Sequence, residues 1–194
     1  MVKSECKSEG PCGPPEISLP RLSTTVHFGC PEFVGSVPAV PLFLIRHAIA
    51  GVRNNLDPHD DRRELDPIGW EQAHAIANYH GSQEIEAVYA SPALRCRQTV
   101  TPLAERLEME VTLAPELFEG AAPSTSIEFV RSFVGRTVAM CSHADVIPDV
   151  LRCLEIGGSK MYGSGCAKGS VWELDNSTER IESGRYFDPS SLAS

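Results

Sequence analysis

From Val40 onwards the apolar residues fall into short runs separated by longer stripes at helical spacing. Val40–Ile45, Ala87–Ala90, Met109–Leu113, Thr137–Cys141 and Ser170–Leu174 read as strands, and Glu179–Tyr186 is a candidate strand at the sheet edge. Pro67–Tyr79, with Ile68 and Ile76 on its apolar face, Pro92–Leu107, Ser124–Phe133 and Val146–Leu154 read as helices. Asp66-Pro67 and Ser91-Pro92 carry the cap-then-proline signal of a helix start. Strands alternating with helices predict a single three-layer α/β domain with a mostly parallel sheet.

Three segments break this rhythm. In residues 1–39, Gly10-Pro11, Gly13-Pro14-Pro15, Pro20, Pro31 and Pro38 interrupt any period. The expectation is a disordered or loosely packed extension without activity, ahead of a domain over residues 40–194. The segment Gly51 to Asp66 is long and charged for a loop and leaves the first strand, which makes it a candidate lid. Gly157 to Gly169 is glycine-rich and reads as a connector.

Composition narrows the partners. With 194 residues, 42% of them hydrophobic, the chain can bury one substantial core and has little room for a second. A formal net charge of −9 argues against nonspecific binding to nucleic acid or to an anionic membrane. No apolar run is long enough to span a bilayer. The seven cysteines show no C-x-x-C and no zinc-ligand spacing. Their odd count, with no signal peptide ahead of them, points to a reducing cytoplasm and to inert thiols, with no metal or cofactor expected.

The candidate chemistry sits where strands stop. Leu42-Phe43-Leu44-Ile45 ends abruptly in Arg46-His47-Ala48, an anion clamp beside a nucleophilic nitrogen at the carboxyl end of a strand. Thr137–Cys141 ends likewise in Ser142-His143, and two strand-end histidines predict one shared pocket. Arg95 follows Ser91-Pro92 in a first helical turn, where backbone N–H groups and the helix dipole favour an anion. Glu119, in Leu117-Phe118-Glu119-Gly120, is a candidate general acid if burial raises its pKa; Glu116 competes for the role. Arg53, Arg62 and Lys168 are candidates for holding the rest of a substrate, and His27, His59, His74 and His80 look incidental.

With these residues in view, the chain resembles the histidine phosphatase superfamily, the phosphoglycerate-mutase-like proteins, and within it the SixA-type phosphohistidine phosphatases. Arg46-His47-Ala48 resembles the Arg-His-Gly signature, although Ala48 replaces its glycine. Ser91-Pro92-Ala93-Leu94-Arg95-Cys96-Arg97-Gln98-Thr99 resembles the Ser-x-x-x-Arg-x-x-x-Thr helix start, and Ser142-His143 the second histidine. Arg63-Glu64-Leu65-Asp66-Pro67-Ile68-Gly69-Trp70-Glu71-Gln72-Ala73 is similar to a stretch of the SixA-type branch. A further likeness, carried by Asp60-Asp61-Arg62-Arg63, Arg95-Cys96, Ile147-Pro148-Asp149 and Lys168-Gly169-Ser170-Val171-Trp172, is to the phosphatase-like domain that follows a Nudix domain in actinobacterial hydrolases. No Nudix signature precedes these residues here, so the expectation is a stand-alone phosphatase domain, with nucleotides among its candidate substrates.

The resemblance implies a phosphoglycerate-mutase-like fold, His47 as a nucleophile that becomes phosphorylated, and Arg46, Arg95 and His143 as ligands of the transferring phosphoryl group. It implies a phosphatase independent of metals, acting on a phosphohistidine-bearing protein or a small phosphomonoester. Only a short helix separates Glu119 from Thr137, where mutases carry a larger insertion, so hydrolysis outranks transfer. A non-catalytic phosphate-binding module that kept the pocket is the alternative.

Overall fold

Leu42, Phe43, Leu44 and Ile45 are at most 1% exposed, the centre of a strand buried on both faces. This computed structural model describes residues 40–54 and 56–192; the expectation for residues 1–39 lies outside them. The elements run β1 (Val40–Arg46), α1 (Pro67–His80), β2 (Ala87–Ala90), α2 (Leu94–Arg106), β3 (Val111–Leu113), α3 (Pro123–Arg131) and β4 (Val138–Ser142), then α4 (Val146–Ile156), β5 (Lys160–Tyr162), β6 (Val171–Asn176), β7 (Ile181–Phe187) and α5 (Pro189–Leu192). The sheet order is β3-β2-β4-β1-β6-β7-β5. β1, β2, β3 and β4 pair in parallel, whereas β6 runs antiparallel to both its neighbours.

Alternate side chains of β1 serve opposite layers. Leu42 and Leu44 pack with Ile127 and Val130 of α3 and with Val146, Val150 and Leu154 of α4. Phe43 and Ile45 pack with Ile76 of α1 and with Val100 and Leu103 of α2. Each buried side chain of this size contributes roughly 2 kcal/mol relative to exposure. The strand that ends in Arg46 and His47 is therefore anchored on both faces, and this is the expected three-layer α/β arrangement.

Differences from expectation are local. α1 is capped as predicted, with Asp66 accepting from the Gly69 N–H at 2.8 Å. Ile68, however, is 56% exposed, because α1 buries the face carrying Gly69, Ala73, Ile76, Ala77 and His80, and Ile68 is turned about 100° from Gly69. α2 begins at Leu94 rather than Pro92, since Ser91 turns its hydroxyl toward His143 instead of capping the helix. The presumed connector Gly157 to Gly169 contains β5, whose parallel pairing with β7 makes β5 the outermost strand and puts β7 inside. With Lys160 and Tyr162 exposed and only Met161 half-buried, three residues gave too little apolar periodicity to be legible.

Candidate active site

The register of the central strands assembles the site. β1 and β4 run parallel with Arg46 opposite Ser142, and the His47 N–H donates to the Ser142 carbonyl at 3.0 Å. The residues that follow in register, His47 and His143, therefore stand side by side, their ring centroids 5.4 Å apart. β2 lies on the other side of β4, and the Ser91 N–H donates to the Cys141 carbonyl at 2.9 Å. From there the chain turns into α2, whose first turn brings the Arg95 Nη2 atom to 3.3 Å from Nδ1 of His143.

His47 lies 2.8 Å from the Ala48 carbonyl through its Nδ1. A carbonyl only accepts, so Nδ1 carries the proton and Nε2 is the unprotonated nitrogen. Burial, together with the positive charges of Arg95 and Arg46 and the His143 ring nearby, lowers the His47 pKa to about 3, against the pull of its bond to Ala48. The ring is thus neutral at physiological pH, with its lone pair on Nε2. Ala48 keeps an ordinary negative φ; its N–H donates to Thr99 Oγ1 at 3.0 Å, and Thr99 in turn donates to the Arg95 carbonyl at 2.6 Å. The methyl group in place of glycine is accommodated, fully buried beside Ala50, Leu65 and Ala73.

His143 is fixed from behind, with Nε2 2.7 Å from Ser91 Oγ and 3.5 Å from Cys96 Sγ. This leaves Nδ1 as the nitrogen beside Arg95. The Arg46 guanidinium donates to the Cys166 carbonyl, which ties β1 to the segment ahead of β6. Arg95 is 2% exposed; it donates to the Asp60 carbonyl at 2.9 Å and to Glu119 Oε2 at 2.7 Å.

These groups line a cavity of about 430 Å³ together with Arg53, Arg63, Asp145 and Lys168. Five cations and two carboxylates face it, in a chain whose net charge is −9. Arg62 does not line it. The short 3-10 turn Asp60–Arg62 points that side chain to solvent and brings in Arg63, which binds Asp60 at 2.8 and 3.2 Å and the Gly51 carbonyl at 3.0 Å. The candidate lid, Gly51 to Asp66, thus supplies a wall of the cavity.

Glu119 reaches the cavity and Glu116 does not. The apolar burial expected for Glu119 is not what surrounds it: its carboxylate is 29% exposed and accepts from Arg53 at 2.8 Å and Arg95 at 2.7 Å. Ser142 Oγ donates to the Leu117 carbonyl at 2.7 Å and so holds this turn against the end of β4. Two acids were given no site role: Asp60, which lay inside the Asp60-Asp61-Arg62-Arg63 likeness, and Asp145, two residues past His143, which no sequence pattern singled out. Ser91 was read as a helix cap rather than as a site residue, and Gln72 lay inside a recognised motif without an assigned role. Gln72 accepts from the Ile49 N–H at 2.9 Å and donates to the Lys168 carbonyl at 3.1 Å, joining the loop after His47 to the one before β6. His74 and His59 are exposed and remote from the cavity.

Comparison with known proteins finds phosphatases similar in sequence and in fold. Residues 42–124 match the sequence profile of the histidine phosphatase superfamily (branch 1). An 8-oxo-(d)GTP phosphatase from Mycolicibacterium smegmatis is 28% identical over 154 residues, which are 76% of this chain; the chain spans only about half, 48%, of that protein's length. The protein histidine phosphatase SixA, solved with tungstate, superposes with a TM-score of 0.62 at 19% identity, over 79% of this chain and 99% of that one. A mycobacterial glucosyl-3-phosphoglycerate phosphatase, solved with inorganic phosphate, gives 0.60 at 17% identity, over 80% and 100%. Residues 42–124 are thus similar in sequence to the histidine phosphatase superfamily, and the described domain shares the fold of SixA.

Proposed function

We propose that this phosphatase acts by in-line transfer of a phosphoryl group to Nε2 of His47, followed by attack of water on the phosphohistidine. The observation that carries this reading is the tautomer of His47. Nδ1 is committed to the Ala48 carbonyl and Nε2 is left unpartnered among the described residues, in a cavity shared with Arg46, Arg95 and His143. Phosphoryl transfer needs positioning and cationic groups around the equatorial oxygens rather than elaborate covalent chemistry. Arg46 and Arg95 supply permanent charge, and the His143 ring stands beside Arg95, where it would border a phosphoryl oxygen bound to that guanidinium. Splitting hydrolysis into two displacements lowers each barrier.

The candidate substrates are a phosphohistidine in a signalling protein and a small phosphomonoester, nucleotides included. The SixA and glucosyl-3-phosphoglycerate phosphatase names span that range, and the Mycolicibacterium protein is named for a nucleotide. The short α3 does not line the cavity, which leaves the product open to release rather than to transfer.

Hydrolysis of an aryl phosphate, measured together with phosphate binding, tests this reading. His47→Ala should lower turnover on the order of 10⁴-fold or more while phosphate still binds. A wild-type protein that binds phosphate and hydrolyses nothing would instead be the non-catalytic phosphate-binding module.

A further inference from the structure

We infer that the substrate carries a second phosphate next to the one transferred, so that the bond cleaved is a phosphoanhydride. This rests on the phosphatase reading above and narrows it.

The first ground is a cation left without a counter-charge. In the phosphatase reading one phosphoryl group would take Arg46, Arg95 and His143, and three further cations face the same cavity. Arg53 is neutralised by Glu119 at 2.8 Å, and Arg63 by both oxygens of Asp60. Lys168 is different. Among the described residues its ammonium has neither a carboxylate partner nor a hydrogen bond, although its backbone carbonyl is held by Gln72. Burial and the repulsion of Arg63 and Arg46 push its pKa down, so the fold holds it where its own charge is unwelcome. A second anion beside the transferred group removes that conflict.

The second ground is the leaving group. Both oxygens of Glu119 accept from guanidiniums, so its lone pairs are committed to Arg53 and Arg95 and are not aimed at a leaving-group oxygen. An alcohol, with a pKa near that of water at about 16, leaves poorly without a donor, whereas a phosphate monoester, with a second pKa of about 6, leaves unaided. Phosphohistidine also has a good leaving group, but its imidazole offers Lys168 no anion.

The steps balance. Nε2 of His47 forms a bond to the terminal phosphorus as the bridging P–O bond breaks, and the electron pair stays on the bridging oxygen, which departs with the remaining phosphate. Water then attacks the phosphohistidine, the P–N bond breaks with its electron pair returning to Nε2, and both protons of the water leave with inorganic phosphate.

The test compares ADP, AMP, p-nitrophenyl phosphate and a phosphohistidine peptide on wild type, Lys168→Met and Lys168→Arg. Wild type should prefer ADP to AMP by about tenfold or more in kcat/KM, the scale of a hydrogen bond to a charged group. Lys168→Met should lower the ADP value about tenfold more than the aryl phosphate value, and Lys168→Arg should restore most of the difference. An ADP value no higher than that for AMP, a ratio unmoved by Lys168→Met, or turnover confined to the peptide overturns the inference and leaves the phosphatase reading standing. No turnover of any substrate by wild type overturns both.

Discussion

A histidine serves as a nucleophile only while one ring nitrogen is kept free of protons, and at His47 two features do this. The Ala48 carbonyl fixes the proton on Nδ1, and burial among positive charges lowers the pKa to about 3. It follows that the ring stays neutral well into acid: nitrogen chemical shifts of His47 should show an Nδ1–H, bare Nε2 tautomer down to about pH 5. A midpoint near the free value of 6.5 would contradict that electrostatic account. At this scale the sequence was legible wherever an apolar run stopped at a charged residue, as at Arg46, His47 and His143. It was not legible where one of two adjacent arginines had to be chosen: Arg63 rather than Arg62 turns inward because of a single 3-10 turn. Glu119 lines the cavity, but its arginine partners come from segments distant along the chain.

Secondary-structure elements meet the site through contacts made at their ends. An added Cβ at Gly69 in α1 would lie 1.8 Å from the Ile49 carbonyl oxygen, two residues beyond His47, so helix and loop can approach this closely only with glycine. Gly69→Ala should cost about 2–3 kcal/mol, read by urea denaturation, and should lower kcat as well, because the displaced segment carries His47, the proposed nucleophile. Unchanged stability would mean that the close approach is not needed. The helix itself was predictable from its cap and period. This contact was not, because it depends on how a loop returns over the helix start. Ser91 shows the same limit: its cap-like sequence is real, yet the hydroxyl is drawn to His143 across two strands of the sheet.

On the scale of the whole molecule, the alternation of strands and helices was enough to expect a parallel α/β sheet, because β1 and β4 are buried on both faces, β2 is buried on one and half-buried on the other, and all had to be apolar. The far side, β6 to β5, was less legible, since half-exposed strands dilute the pattern. His80, 1% exposed between Phe43 and Tyr79, has no partner for either ring nitrogen among the described residues, and burial lowers its pKa to about 4. Above 6.5 the folded and unfolded chains both hold it neutral. As pH falls below that, the unfolded chain takes up a proton that the fold refuses until about 4, so stability is lost across this window. His47 adds a loss of the same sign. His80→Phe should remove roughly 2 kcal/mol of the stability difference between about pH 7.5 and about pH 5, measured by denaturant unfolding. An unaltered difference would place the acid sensitivity elsewhere.

The central claim is that Nε2 of His47 becomes bonded to phosphorus during turnover. Rapid quenching of wild type in base, after mixing with a substrate radiolabelled in its transferable phosphoryl group, followed by peptide mapping, tests it most directly. The account predicts an acid-labile, base-stable label on His47 that is absent from His47→Ala. Steady turnover with no label on the protein, or with the label on another residue, would contradict it.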